Sequence, residues 1–337
     1  MISPPLPGYR KVALTAAFAA AALGLSSCSG SSGGDSDQIN VVGFSVIKTA
    51  YGELSDAFTA TEAGKGFSFK GSFGASGAQA RAVVAGQRAD VVAFSLTPDM
   101  EKVVKAGVVD PGWNADPRKG IVSRSVVVIT VRKGNPLGIR GWDDLVKPGT
   151  KIITPDPGTS GAAKWNLMAA YAQAMGPSKD EAAGKAYLEK FVKNVVSWND
   201  SARTATDAFV QGTGDVMISY ENEAIAARAA GVELDYVVPA STFLIENPAA
   251  VTKTAPPAAS QFLSFITSPE GQQVLGSKGF RPADDSLKVT GVKGANDPDK
   301  PFPTVAELST VEDLGGWSAV DEDLFDEQSG LVAQLRK

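Results

Sequence analysis

Histidine does not occur in this sequence, and cysteine occurs once, as Cys28. Without histidine, Ser-His-Asp and Cys-His nucleophiles have no base, and nearly all transition-metal sites lose their usual ligand. A lone cysteine excludes a disulfide within one chain. No stretch reads G-x-x-x-x-G-K-[ST] or carries a dinucleotide fingerprint. Positive charge is also short. Lys and Arg number 32 against 37 Asp and Glu, and the net of −5 leaves no basic footprint for nucleic acid. The acidic residues are scattered over expected helix faces, so a carboxylate-pair enzyme remains open but without a nominated pair. Tandem repeats are absent.

What is present describes a globular protein. The 337 residues suffice for two domains of ordinary size, with 43% hydrophobic and 20% charged residues. The first residues read as a targeting segment. Arg10 and Lys11 precede an apolar run, residues 12–25, that is too short and Ala-rich for a good membrane span. Leu25-Ser26-Ser27-Cys28 follows and looks like a bacterial lipobox, in which the cysteine sulfur is lipidated and becomes the new N-terminus. Residues 1–27 are thus expected to be a lipoprotein signal peptide and Cys28 the lipidation site. Acyl chains would hold the protein on the extracytoplasmic face of the cell membrane. Removing Arg10 and Lys11 takes the formal charge from −5 to −7. Residues 28–38, rich in Gly, Ser and Asp, read as a flexible tether.

From residue 40 onward, short apolar β-rich runs alternate with amphipathic helical patterns. This alternation predicts an α/β fold with a largely parallel sheet. Two β runs are unusually long, residues 123–132 and 242–251. Strands of that length suit crossings between two domains. Domain I is expected over 39–122 and 246–337, domain II over 123–245. Residues 258–275 and the acidic C-terminal stretch from Asp297 onward complete the chain, and the latter is expected to pack on the first domain.

One local pattern recurs: a strand, a turn of small residues, then a helix. It appears at Gly74-Ala75-Ser76-Gly77, at Thr159-Ser160-Gly161-Ala162 and at Ser201-Ala202-Arg203. The first N–H groups of a helix lack intrahelical partners, and small side chains let a ligand approach them. Together with a serine hydroxyl they form a ready site for a small anion. Sites of open α/β sheets lie at the carboxyl ends of strands, where these turns fall. Donors from two domains would therefore converge on a cleft.

Several motifs in order along the chain carry a resemblance. They include G-A-S-G-A-Q-A at 74–80, V-R-K-G-N-P at 131–136 and I-T-P-D-P-G-T-S-G-A-A-K-W-N at 153–166. S-A-R at 201–203, F-V-Q-G-T-G-D-V at 209–216, Y-E-N-E-A at 220–224 and G-F-R-P at 279–282 continue it. With these the chain resembles the bacterial sulfate-binding proteins that serve sulfate and thiosulfate ABC importers. The resemblance implies a two-domain, type II periplasmic-binding-protein fold that closes on one dehydrated sulfate. It also implies a non-enzymatic monomer without cofactors, working with ABC permease and ATPase subunits. Carried over by position, the contacts fall on Ser45, Ser76, Ser160, Gly161, Ala162, Ala202 and Tyr220. Ser45 stands where many members have Asp, Ala162 where many have Gly, and Tyr220 where enteric members have a Trp whose indole N–H donates. Arg203 is expected to brace the Ala202 peptide from outside.

Sulfate is fully ionised at neutral pH and only accepts hydrogen bonds. A selective site should then offer donors and no carboxylate, because hydrogen phosphate would welcome an acceptor. Asp156 and Asp200 are accordingly expected to turn away into turn or cap roles. Local dipoles rather than the negative global charge would do the binding, so salt should matter little. Thiosulfate, molybdate or phosphate on the same scaffold, an extracytoplasmic carboxylate enzyme and a lipoprotein that binds only proteins remain the alternatives.

Overall fold

A computed structural model describes residues 37–284 and 286–337. The expected signal peptide, Cys28 and most of the tether lie outside the described residues. The chain begins with β1 (Gln38–Phe44), a 3₁₀ turn (Ser45–Ile47), α1 (Lys48–Thr59), β2 (Ser68–Gly74), α2 (Ser76–Val84), β3 (Val91–Ala93) and α3 (Thr97–Lys105). It continues through β4 (Ile121–Arg132), α4 (Trp142–Leu145), β5 (Ile152–Pro155), α5 (Gly161–Met175), α6 (Glu181–Lys193), β6 (Val195–Asn199) and α7 (Ala202–Val210). Next come β7 (Val216–Tyr220), α8 (Glu221–Ala229), β8 (Leu234–Val237), β9 (Ser241–Val251), α9 (Pro257–Ile266) and α10 (Pro269–Ser277). The last elements are β10 (Glu307–Ser309), α11 (Gly316–Val320) and α12 (Leu331–Leu335).

Sequence pattern accounts for the main elements. Six of the seven positions of β1 are buried, as expected for a strand covered on both faces. On α1, Ala50, Tyr51, Leu54 and Phe58 recur at helical spacing and face the core. Residues 258–275 fall into two helices, α9 and α10. Pro269 has no N–H to give and disfavours a helical residue before it, so the chain breaks at Ser268, whose hydroxyl caps α10 through Gly271 N–H at 3.2 Å.

The strands follow the order β2-β1-β3-β9-β4-β7-β5-β6, with β8 beside β4 and β10 beside β9. β1 pairs parallel with β2 and β3, and β5 parallel with β6 and β7. The two long strands depart from the parallel expectation. β4 runs antiparallel to β7, β8 and β9, and β9 antiparallel to β3. Each changes neighbours partway. β4 pairs with β9 up to Val126 and with β7 from Val127; β9 passes from β4 to β3 at Ala249. They return between the two parallel groups, and a returning strand must run opposite to those it joins.

The C-terminal segment is placed otherwise than expected. Trp317 meets the Trp165 ring edge-on at 5.0 Å, Lys164 pairs with Asp321 at 2.6 Å, and α12 contacts α6. Arg336 pairs with Asp156 and lies over the Trp198 ring. Residues 317–336 thus pack on α5, α6 and their neighbours, not on the α1–α3 side. Aromatic and charged partners on α5 draw the segment there, a choice that an acidic composition does not encode.

Candidate functional site

The three recurring turns open α2, α5 and α7, each after a strand. Ala75 is extended at φ −60°, ψ 130°, and Ser76 is the first residue of α2. Gln79 N–H closes on Ala75 O at 2.9 Å, leaving the N–H groups of Ser76, Gly77 and Ala78 without helical acceptors. α5 is offset by one residue. Ser160 is its cap and Gly161 its first residue. Ser160 N–H is held by Asp156 O at 2.9 Å, while Gly161 and Ala162 N–H have no acceptor among the described residues. On α7, Ser201 and Thr204 cap one another reciprocally, which leaves the Ala202 N–H free.

These starts lie close together. A Cβ added to Gly77 would stand 3.1 Å from the Thr159 carbonyl, and one on Gly161 only 2.6 Å from Ser95 Oγ. Ser95 N–H donates to Ser76 Oγ at 2.9 Å, and Ser95 Oγ lies 2.7 Å from the Tyr220 hydroxyl. Ser76, Gly161 and Tyr220 therefore surround one residue. The Phe44 and Tyr220 rings are 6.3 Å apart, and the Ser45 turn contacts α7, which bears Ala202. Ser76, Ser160, Gly161, Ala162, Ala202 and Tyr220 are buried, and Ser45 is half-buried. A cavity of about 300 Å³ opens against Gly77, Ser160 and Gly161, with Lys102, Lys164 and Arg336 but also the carboxylates of Asp99, Asp326 and Glu327 on its walls.

Side-chain partners refine the expectations. Asp156 serves its turn, accepting from Gly158 N–H at 2.8 Å and pairing with Arg336; Asp200 is exposed. Another carboxylate does stand beside the serines, contrary to expectation. Asp99, buried in the first turn of α3, accepts from Ser76 Oγ at 2.7 Å and from Lys102 Nζ at 2.9 Å. Ser76 Oγ is committed on both sides, to Asp99 and to the Ser95 N–H. Its backbone N–H is the group left without a helical acceptor. Ser160 Oγ, in contrast, has no hydrogen-bond partner among the described residues.

Tyr220 is completely buried, and burial pushes its phenol far above the ordinary range, so it stays a neutral hydroxyl. Arg203 does not touch the Ala202 peptide. It bonds Glu223 at 3.1 Å; Glu223 accepts from Thr206 Oγ1 at 2.9 Å, and Thr206 also donates to Ala202 O at 3.1 Å. Arg203 reaches Ala202 only through these two side chains. Glu221 is held by Arg281 through contacts of 2.7 and 3.1 Å. Burial raises both glutamates above the ordinary carboxylate value, against the pull of their arginines. These pairs fix the Glu221-Asn222-Glu223 start of α8 directly after Tyr220.

Sequence reasoning missed Ser95 and Asp99. Ser95 had a legible signal, since it too is a hydroxyl residue ending a strand before a helix. Asp99 had none, because an acidic residue in a first helical turn is ordinary.

Comparison with known proteins matches residues 39–281 to the family model of bacterial extracellular solute-binding proteins. A sulfate-binding protein of Synechococcus elongatus is 37% identical over 309 residues, covering 88% of this chain and 86% of the relative. A thiosulfate-binding protein of Escherichia coli is 33% identical over 281 residues, covering 78% and 79%. Among solved structures, the sulfate-binding protein SubI from Mycobacterium tuberculosis H37Rv superposes with a TM-score of 0.80 at 45% identity, covering 86% of this chain and 99% of that one.

Proposed function

This chain belongs to the bacterial extracellular solute-binding proteins, and we propose that it binds sulfate outside the cytoplasm for delivery to an ABC importer. It is a binding protein, not an enzyme. The observation that carries the sulfate reading is the close approach of the α2 and α5 N-termini in one buried region with free N–H groups, with the turn before α7 tied to them by Thr159 Oγ1, which donates to Asp200 O at 2.9 Å. Ser45, Ser76, Gly161, Ala162 and Ala202 would supply backbone N–H groups, and Ser160 its hydroxyl. Such neutral donors replace the hydration of a doubly negative tetrahedron without a paired counter-charge.

We read domain I as 39–122 and 246–316 and domain II as 123–245, with β4 and β9 as the hinge strands. The C-terminal residues from 317 ride on α5 and α6. Closure of one lobe on the other would report occupancy to the permease. Cys28 would carry the lipid that keeps a monomeric receptor at the membrane surface.

Asp99 favours a second reading. Its carboxylate could accept the proton of hydrogen phosphate if Ser76 turned aside; the thiosulfate-binding relative separately keeps thiosulfate in view. Calorimetric titration with sulfate, thiosulfate, molybdate and phosphate tests the assignment. Heat from sulfate with none from phosphate is the expected result. Binding of phosphate in preference to sulfate would overturn it.

A further inference from the structure

Ser95 follows β3 and has only 1% of its surface exposed. Four of its groups or neighbours come from separate elements. Its carbonyl accepts from Trp165 Nε1 of α5 at 3.0 Å and from Asn247 Nδ2 of β9 at 2.9 Å. Its N–H donates to Ser76 Oγ of α2, and its Oγ meets the hydroxyl of Tyr220 at the end of β7. Close approach to Gly161 puts the same Oγ against the first turn of α5, beside an N–H with no acceptor.

The protons of this pair can be counted. Two hydroxyls bring two protons, and their contact uses one. Asn247 Nδ2 is engaged by the Ser95 carbonyl. Either hydroxyl can be the donor in this contact; because Ser95 Oγ is the one that lies against Gly161, we take Tyr220 to give its proton to Ser95. The Ser95 proton is left without an acceptor among the described residues, in a nearly inaccessible position. Buried donors seldom stay so unless a ligand completes them.

We propose that Ser95 is a ligand-contacting, specificity-determining residue, whose hydroxyl donates to the bound oxyanion while Tyr220 acts through it as a positioning residue. The proposal rests on the sulfate reading above. It also accounts for a phenol where an indole donor was expected. The Tyr220 proton goes to Ser95, and Ser95 passes a donor on toward Gly161. Because Ser95 can be held as donor by Tyr220, an anion that only accepts is preferred over one that must donate.

The test is calorimetric titration of the full chain with sulfate, for the native protein, Ser95→Ala, Tyr220→Phe and the double variant. Ser95→Ala should weaken binding about 10- to 100-fold, the loss of one hydrogen bond to a charged group. Ser95→Ala and Tyr220→Phe both break the Ser95–Tyr220 contact and should both lower ligand-free melting, so the extra loss of affinity in Ser95→Ala separates the ligand contact from a packing role. Tyr220→Phe should weaken binding less, and the double variant no more than Ser95→Ala alone, since the phenol acts only through Ser95. Native affinity in Ser95→Ala overturns the ligand contact; additive losses in the double variant overturn the positioning role. Absence of any sulfate heat from the native protein would instead refute the sulfate reading itself.

Discussion

Ser76-Gly77-Ala78 and Ser160-Gly161-Ala162 are the same three residues, each opening a helix after a strand, yet their serines do different work. Ser76 is the first helical residue of α2, and its hydroxyl is held between Asp99 and the Ser95 N–H. Ser160 stands one position earlier relative to its helix, as the cap of α5, because the Pro155-Asp156-Pro157-Gly158 turn fixes its N–H on Asp156 O. Its hydroxyl is left available. Backbone donors are nearly equal at the two starts, three N–H groups without helical acceptors on Ser76, Gly77 and Ala78 against two on Gly161 and Ala162. Hydroxyls are not equal, because a neighbouring strand end and α3 reach one start and not the other.

The largest expected effect comes from making the close approach impossible. Gly161→Val should lower sulfate affinity roughly 100-fold or more, since even a Cβ there stands 2.6 Å from Ser95 Oγ and 2.8 Å from Leu96 Cδ2. Gly77→Ala should cost only about threefold, its nearest contact being 3.1 Å. Equal losses in calorimetry would show that the two starts are packed alike after all.

Next in size is the exchange of serines. Ser160→Ala should weaken sulfate about 10- to 100-fold with melting nearly unchanged. Ser76→Ala should do the reverse. It strips a partner from the buried Asp99 carboxylate and from the Ser95 N–H, destabilising the fold by about 1–3 kcal/mol while affinity stays within roughly threefold. Denaturant unfolding beside titration reads both quantities, and a matching pattern for the two variants would erase the distinction.

Arg203→Ala should destabilise by about 1–2 kcal/mol, a discounted value because the arginine is one-third exposed while Glu223 is not. Sulfate affinity should fall a few-fold, through Thr206 and Ala202. Unaltered unfolding and binding would reduce the pair to a surface contact.

The smallest effect lies away from the cleft, at the α4 turn, where no ligand acts. Lys147 and the Arg140 N–H hold the Asp144 carboxyl below its ordinary value of 3.8. A depressed carboxylate stabilises the fold above its unfolded pKa and loses that contribution as pH falls through the folded one. Asp144→Asn should therefore lower the melting temperature slightly at neutral pH, and the gap should close below about pH 4. A gap independent of pH would exclude a charge effect.

Much of the fold was legible. The alternation of short strands and helices, the two long β runs and the recurring small-residue turns all lie within a few residues of the observed elements. Both long runs are central strands that change neighbours partway. Their antiparallel pairing was not legible, because strand direction relative to a neighbour depends on which group the chain returns to. The placement of residues 317–336 on α5 was equally hidden, since Trp317 could have met any apolar face. For the site, Asp156 and Asp200 follow their local turn chemistry. Asp99 and Ser95 do not, because their partners are 23 and 125 residues away in the chain.

Local sequence by itself set where donors would be. Small residues after a strand start a helix, and a helix start exposes N–H groups whatever surrounds it. The absence of histidine and of a second cysteine narrowed what those donors could serve. Tertiary structure alone decided which hydroxyls stay free, which carboxylate stands near them and which residue joins them. Those properties depend on side chains a few ångströms apart in space and far apart in sequence, and hydrogen-bond capacity used by one neighbour is lost to a ligand.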